Sequence, residues 1–414
     1  MYPACRSILV IATVAAAGCG SEPPTGPITG LPRELSVAEG RLIAADNRFA
    51  FKLFREIAGQ ASADANVFIS PLSAAMALGM TYNGAAGGTQ AAMQQALELG
   101  GLTREEVNQS YRSLIDLLRG LDPHVTFELA NSIWYRHDYT FRQEFLDLGR
   151  TYFDAEVRPL DFAAPGAART INDWVNERTR GRITDIVPDP LPDYAIMYLI
   201  NAIYFKGDWT YRFDRDRTQG APFTRADGST TSVPMMTHGE AVPVRVYGDG
   251  DVEVLDLPYA GRAYSMTIVV PRSPAAIDSV AARLTQDRWD AWIAGLDSAR
   301  LEVFLPRFNL QYELTMNDAL AALGMGVAFC DSGAFDFTAM DPLGEACLTN
   351  VRHKTWVDVN EEGTEAAAAT SVEVGLVSLP PSFRVDRPFL FAIRERLSGT
   401  ILFLGRVMDP SRTN

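Results

Sequence analysis

The stretch Glu361-Glu362-Gly363-Thr364-Glu365-Ala366-Ala367-Ala368-Ala369-Thr370, running on through Val377-Ser378 to Pro380-Pro381, decides how the rest of the chain is read. At a period of two, Thr364, Ala366, Ala368, Thr370, Val372, Val374 and Leu376 fall on one side, and Glu365, Ala367, Ala369, Ser371, Glu373 and Gly375 on the other. That alternation suits a strand with one face buried. No proline interrupts Glu361 to Leu379, so every backbone N–H is available to a ladder until Pro380-Pro381 ends it. Four consecutive alanines, however, supply almost no side-chain area, and alanine is a poor strand former. Composition alone favours a short Ala-rich helix or an ordinary surface loop.

The segment resembles the hinge of the reactive-centre loop of inhibitory serpins, and Pro388-Phe389-Leu390-Phe391 and Phe403-Leu404-Gly405-Arg406-Val407 resemble that family's C-terminal strands. The resemblance implies that Glu362, Gly363, Thr364, Glu365, Ala366, Ala367, Ala368, Ala369 and Thr370 form a hinge. Its residues are small so that the cut loop can slide between two strands of a sheet. It implies an α+β serpin fold: mixed multi-stranded β-sheets, about eight or nine surrounding helices, and an exposed loop over about 361–385. The bait bond falls at Val377–Ser378, with Leu376 as fallback. A small β-branched residue before the cut suits the shallow apolar pocket of an elastase-like protease, whereas Leu376 would suit chymotrypsin- or subtilisin-like enzymes. The implied activity is suicide inhibition of a serine protease, not catalysis. A non-inhibitory serpin acting as carrier or chaperone is the alternative, although such members usually carry bulky, charged or proline residues in the hinge.

Working outward, Asn66-Val67-Phe68-Ile69-Ser70-Pro71-Leu72-Ser73 reads as a short buried strand, then a helix with Ser70 as N-cap and Pro71 in its first turn. Tyr198 to Trp209 is rich in β-branched and aromatic residues and reads as a central strand ending at Gly207. Val351 to Val359 reads as another strand, containing His353. These stretches resemble the serpin segments beneath the loop's insertion path, and the resemblance implies a shutter of Ser70, Ser73, Asn201 and His353. Burial would keep His353 neutral. Val37 to Gly59 and Thr140 to Phe153 read as helices, Phe127 to Tyr135 as a strand, and a further helix ends in Ala321-Ala322-Leu323-Gly324-Met325. Ile171 to Asn176 and Gly181-Arg182-Ile183 resemble the helix and exit loop that cross the main serpin sheet.

The chain has 414 residues, a net charge of −14 and a pI near 4.8. With no internal repeat and no linker inside the body, it reads as one large domain over 37–411. The acidic balance argues against nucleic-acid binding. Four histidines and no G-x-S-x-G offer no nucleophile–base arrangement. No cofactor or metal motif is present; the inhibitor is expected to be a monomer whose partner is its protease.

At the start, Arg6 precedes an apolar run, Ile8 to Ala17, which reads as a signal segment. Ala16-Ala17-Gly18-Cys19 resembles a bacterial lipobox. That implies cleavage of residues 1–18, lipidation of Cys19 and a membrane link through that anchor alone. Gly20 after the cysteine favours the outer membrane, periplasmic or surface-facing; ordinary secretion remains the alternative. Residues 19–36 read as a flexible tether. Cys330 and Cys347 then remain in an exported body, as a disulfide or as two buried thiols.

Overall fold

The computed structural model of the protein describes residues 26–364 and 381–413. In chain order the strands are Val67–Ile69 (β1), Val125–Arg136 (β2), Ala155–Leu160 (β3), Met197–Asp208 (β4), Gln219–Thr224 (β5), Thr230–Thr237 (β6), Val242–Gly248 (β7), Val252–Pro258 (β8), Tyr264–Pro271 (β9), Asp297–Pro306 (β10), Phe308–Thr315 (β11), Arg352–Val359 (β12), Gly363–Thr364 (β13), Ser382–Arg384 (β14), Phe389–Glu395 (β15) and Ile401–Val407 (β16). They form two sheets. The larger runs β1-β16-β15-β9-β8-β7-β10-β6-β5, with β14 alongside β10; the smaller runs β11-β12-β13-β4-β2-β3.

Among the described residues the α-helices are Val37–Gln60 (α1), Pro71–Gly84 (α2), Gly87–Ala96 (α3), Arg104–Gly120 (α4), Gln143–Phe153 (α5), Ala167–Arg178 (α6), Ile277–Ala282 (α7), Gln286–Ala294 (α8) and Asn317–Leu320 (α9). Helix α1 opens with a capping box, Ser36 accepting from the Glu39 N–H and Glu39 returning to the Ser36 N–H. Helix α2 is apolar all round and packs between β4 and β16, the position such a helix must take. The six-stranded sheet therefore has one face on the main core. Its outer face carries a smaller cluster built by α6, where Trp134, Ile171, Val175, Ile200 and Ala202 meet.

Most element readings hold within a residue or two, with informative departures. Strand β4 runs to Asp208, not Gly207. Helix α5 begins at Gln143, not Thr140, because the Arg142 N–H donates to Met340 O at 2.8 Å and holds the approach extended. The helix read as ending at Met325 is α-helical only to Leu320; it continues as a wider turn through Ala321–Met325, where Gly324 has φ of 100°. Part of the expected tether is body. Ile28, Leu31 and Leu35 pack on the core, and the Ile28 N–H donates to Gly261 O at 2.8 Å. Three spaced apolar residues bury area that a linker would leave in water. The signal segment, Cys19, hinge residues Glu365, Ala366, Ala367, Ala368, Ala369 and Thr370, and the bait residues Leu376, Val377 and Ser378 lie outside the described residues.

Candidate functional site: an open seam in the six-stranded sheet

Strands β4 and β12 do not pair with each other among the described residues. What stands between them is β13, two residues long: Val359 pairs with Thr364, and Thr364 and Gly363 pair with Gly207 and Asp208. Below Thr364 the two lips face a cavity of about 290 Å³, lined by Leu199, Asn201, His353 and α2 residues. The inward side chains of β4, Leu199, Asn201 and Ile203, are only half-buried, although their outward neighbours Ile200, Ala202 and Tyr204 are covered. A core-facing row that is half-wet beside a covered outer row marks a sheet lacking a strand.

The top of the seam is bolted by Glu361 and Glu362, both buried. The Phe213 N–H donates to Glu361 O and the Trp209 N–H to Glu362 O, each at 2.8 Å. The Thr218 hydroxyl donates to Glu361 Oε1 at 2.7 Å, and Arg215 pairs with Glu362 at 3.3 Å. Gly363 is required by space: a Cβ there would lie 2.2 Å from Gly207 O. The Thr364 hydroxyl faces inward and meets the Tyr259 hydroxyl at 2.8 Å, while Tyr259 stacks on Trp209 at 4.5 Å.

Midway down, the four residues expected to form a shutter come together. The Ser70 N–H donates to His353 Nε2 at 3.0 Å, and the Ser70 hydroxyl donates to Leu402 O at 2.8 Å. The Ser73 hydroxyl donates to Asn201 O at 3.3 Å. The start of α2 thus holds β12, β16 and β4 at one point. Burial pushes the His353 imidazole down to about 4, so it is neutral and Nε2 remains an acceptor. Asn201 donates from Nδ2 to Asn131 Oδ1 at 2.6 Å, but its own Oδ1 is buried without a partner among the described residues. An unsatisfied acceptor inside a core costs roughly 1–3 kcal/mol. Asn201 itself lines the cavity.

A strap crosses the outer face of the seam, and its anchors carry little signal in the sequence. After α6 the chain turns on Arg180 and Gly181, at φ of 51° and 84°. Asn172 Oδ1 then accepts from the Ile186 and Val187 N–H groups at 2.8 and 3.0 Å, fixing the strap to α6. Arg180 stacks over Tyr204 of β4 at 5.0 Å and pairs with Glu128 of β2. Arg182 stacks over Trp356 of β12 at 4.1 Å, and Asp185 pairs with Lys354 of β12 at 3.0 Å. One short segment grips both lips. Only the outward aromatics on two apolar strands could have hinted at cation–π partners. His238 was likewise not singled out: its ring stacks on Phe213 at 4.1 Å, beside the bolt.

Cys330 and Cys347 are joined by a disulfide at the foot of β12.

Comparison with known proteins decides the family. Residues 44–410 match the model for serpins, serine protease inhibitors. The chain belongs to the serpin family. It is 36% identical to leukocyte elastase inhibitor of Bos taurus over 89% of this chain and all of the relative. It is 34% identical to neuroserpin of Mus musculus over 85% of this chain and 88% of that protein. Among solved structures, the native state of the thermophilic serpin tengpin matches with a TM-score of 0.81 and 27% identity, over 93% of this chain and 97% of that one. Human thyroxine-binding globulin complexed with thyroxine matches with the same score and identity, over 91% of this chain and all of that one. As a serpin the chain is of an inhibitor family, not a catalytic one.

Proposed function

We propose that this serpin inhibits an elastase-like serine protease by suicide, cleavage at Val377–Ser378 being followed by insertion of the loop into the seam. The observation that carries the reading is the missing strand: a sheet open between β4 and β12 with Gly363-Thr364 already seated at its top. Similarity to leukocyte elastase inhibitors supports the protease class.

If the loop extends β13 in register, the strand geometry assigns a partner to every later residue. Thr370 then falls between Asn201 and His353, on the inward side with Thr364. Its hydroxyl would supply the donor that Asn201 Oδ1 lacks. Ala366 and Ala368 would pass over the inward row that includes Ile203 and Thr355. Ala367 and Ala369, on the other face, would pass beneath the strap, Ala367 between Tyr204 and Trp356. Small residues are thus required on both faces, which accounts for the alanine run that composition alone would make a helix or a loop. At ~3.3 Å per residue, insertion to the bait bond would carry an acylated protease roughly 40 Å. A displacement of only ~1 Å can cost a hundredfold in rate, so deacylation would stall. Insertion is a race with deacylation, and the intact form is held by kinetics.

In a cell, the signal segment and Cys19 would place the inhibitor outside the cytoplasm, anchored by lipid or secreted. The test of the function is incubation with pancreatic elastase followed by a denaturing gel. A covalent band at the summed mass, with a small fragment beginning at Ser378, supports the reading. Clean cleavage without adduct by every serine protease tried overturns it in favour of a carrier, a use that thyroxine-binding globulin illustrates on the same fold.

A further inference from the structure

At the foot of the seam the β12 lip is no longer a strand. Residues 346–351 prolong it as an irregular segment whose backbone is taken up on the far side. The Leu348 N–H donates to Ala328 O, and Leu348 O accepts from the Cys330 N–H, each at 3.0 Å. The Cys330–Cys347 disulfide closes the intervening loop and fixes this segment to the turn that follows Phe329. Neither half-cystine is fully buried, and Cys347 lines the lower end of the cavity, so a small thiol can reach the bond from solvent.

If the loop continues the Val359–Thr364 pairing, Val372 would fall opposite Val351, Val374 opposite Thr349 and Leu376 opposite Cys347. A complete insertion is therefore received by β12 only as far as about Ser371. Its last inward residues, those that carry the protease the final distance, are received by the segment the disulfide holds.

We propose that Cys330–Cys347 is a redox switch that decides whether insertion runs to completion. The proposal rests on the loop-insertion reading above. With the bond closed, the lower lip is a fixed edge and the cut loop zips to its end. An external dithiol, or two monothiols, supplies two electrons and two protons. The S–S bond breaks, both cysteines become thiols, and the reductant leaves as its own disulfide. The lower lip is then held without a covalent tie, by the two Leu348 backbone bonds and by Met316 and Asn317, which bond Val351 and Thr349. The 331–346 loop regains its conformational freedom. Insertion slows over its last stage, deacylation gains, and the inhibitor becomes more of a substrate.

The experiment compares oxidised protein with protein reduced by dithiothreitol, alkylated with iodoacetamide and freed of reagent before any protease is added. Two readouts are taken. The first is the number of inhibitor molecules consumed per elastase molecule inactivated. The second is the rise in melting temperature after papain nicks the loop, which reports insertion without an acyl-enzyme. The expected result is about a fivefold rise in the first, equivalent to ~1 kcal/mol on the partition, and a smaller melting gain on cleavage in the reduced form. A Cys330→Ser/Cys347→Ser double variant should behave as the reduced protein does. A merely structural bond would lower the melting temperature of intact and cleaved forms equally and leave the partition unchanged; that outcome overturns the switch. If the oxidised protein gains stability on cleavage yet traps no protease, the inhibitor reading falls, and the switch is judged on the difference in gain. If neither form gains stability, there is no insertion to gate and the switch falls as well.

Discussion

The two sheets were built to opposite specifications. In the larger one, β9, β15 and β16 are buried along their entire length on both faces, and every one of them is paired on both edges. Charge inside it is mostly met: Arg394 pairs with Asp256 at 3.1 Å, and Asp256 also accepts from the Ser265 and Thr267 hydroxyls, although Arg406 Nε is buried without a partner among the described residues. In the smaller one, β4 has a half-wet inward row, a buried orphan oxygen at Asn201, and one edge with a two-residue partner. Those three strands of the larger sheet have no uncovered face and a neighbour on each side. The smaller sheet has apolar area, ladder hydrogen bonds and a polar acceptor in reserve, each gained only if a strand arrives. The contrast locates the fold's unspent stability in one seam.

Truncation should separate the sheets most clearly. Phe391→Ala, deep in the closed sheet, is expected to cost about 3–5 kcal/mol of intact stability by denaturant unfolding. Ile203→Ala at the open lip should cost about 1 kcal/mol in the intact protein, and more after the loop is cut and its surroundings close. Equal costs in both states would mean the seam does not fill.

The shutter should make the open sheet sensitive to acid. The folded His353 imidazole titrates near 4 against 6.5 in an exposed histidine, so the unfolded chain takes up the proton first as pH falls. The stability it contributes is complete above about 6.5 and is lost as pH drops through about 4, on the order of 3 kcal/mol. His353→Gln should flatten that part of a stability–pH curve; an unchanged curve would remove His353 from the account. Asp46 has the opposite sign. Buried against the Tyr111 hydroxyl at 2.9 Å, its carboxyl is pushed up to about 7, so its contribution is present at low pH and lost as pH rises through about 7. Asp46→Asn should remove the fall in stability between the ordinary carboxylate value of 3.8 and about 7 on the same stability–pH curve.

Smaller effects test the ends of the seam. Gly363→Val forces a side chain onto Gly207 O and should cost about 1–3 kcal/mol, unseat β13 and slow protease trapping. Normal trapping by this variant would show that the seated pair is dispensable. Arg182→Ala removes one cation–π anchor of the strap, worth ~0.5–1 kcal/mol, and should speed insertion about threefold. Stopped-flow fluorescence of a labelled loop would read either change. A slower variant would make the strap a support, not a restraint.

Much of this was legible beforehand for physical reasons. Val67-Phe68-Ile69 followed by Ser70-Pro71 could only be a buried strand feeding a capped helix, and both cap and proline stand where local chemistry requires them. The run from Tyr198 fixed β4 within a residue. The strap's course was legible through the resemblance of Gly181-Arg182-Ile183, but its anchors were not, because Arg180, Arg182 and Asp185 have no periodicity of their own and gain meaning only opposite Tyr204, Trp356 and Lys354. The packed residues Ile28, Leu31 and Leu35 were hidden in a polar stretch whose composition is that of a linker.

By itself, the sequence determined the local states of this chain: which segments bury one face or both, where helices start, and that the hinge is small and free of proline. Those follow from side-chain volume, period and capping, all short-range properties. Only the tertiary structure decided that, among the described residues, β4 and β12 stand apart, Gly363-Thr364 sits between them, and Asn201 holds an oxygen with no partner. These depend on the placement of strands about 150 residues apart in the chain, and no local preference can express a hydrogen bond that has been left unmade.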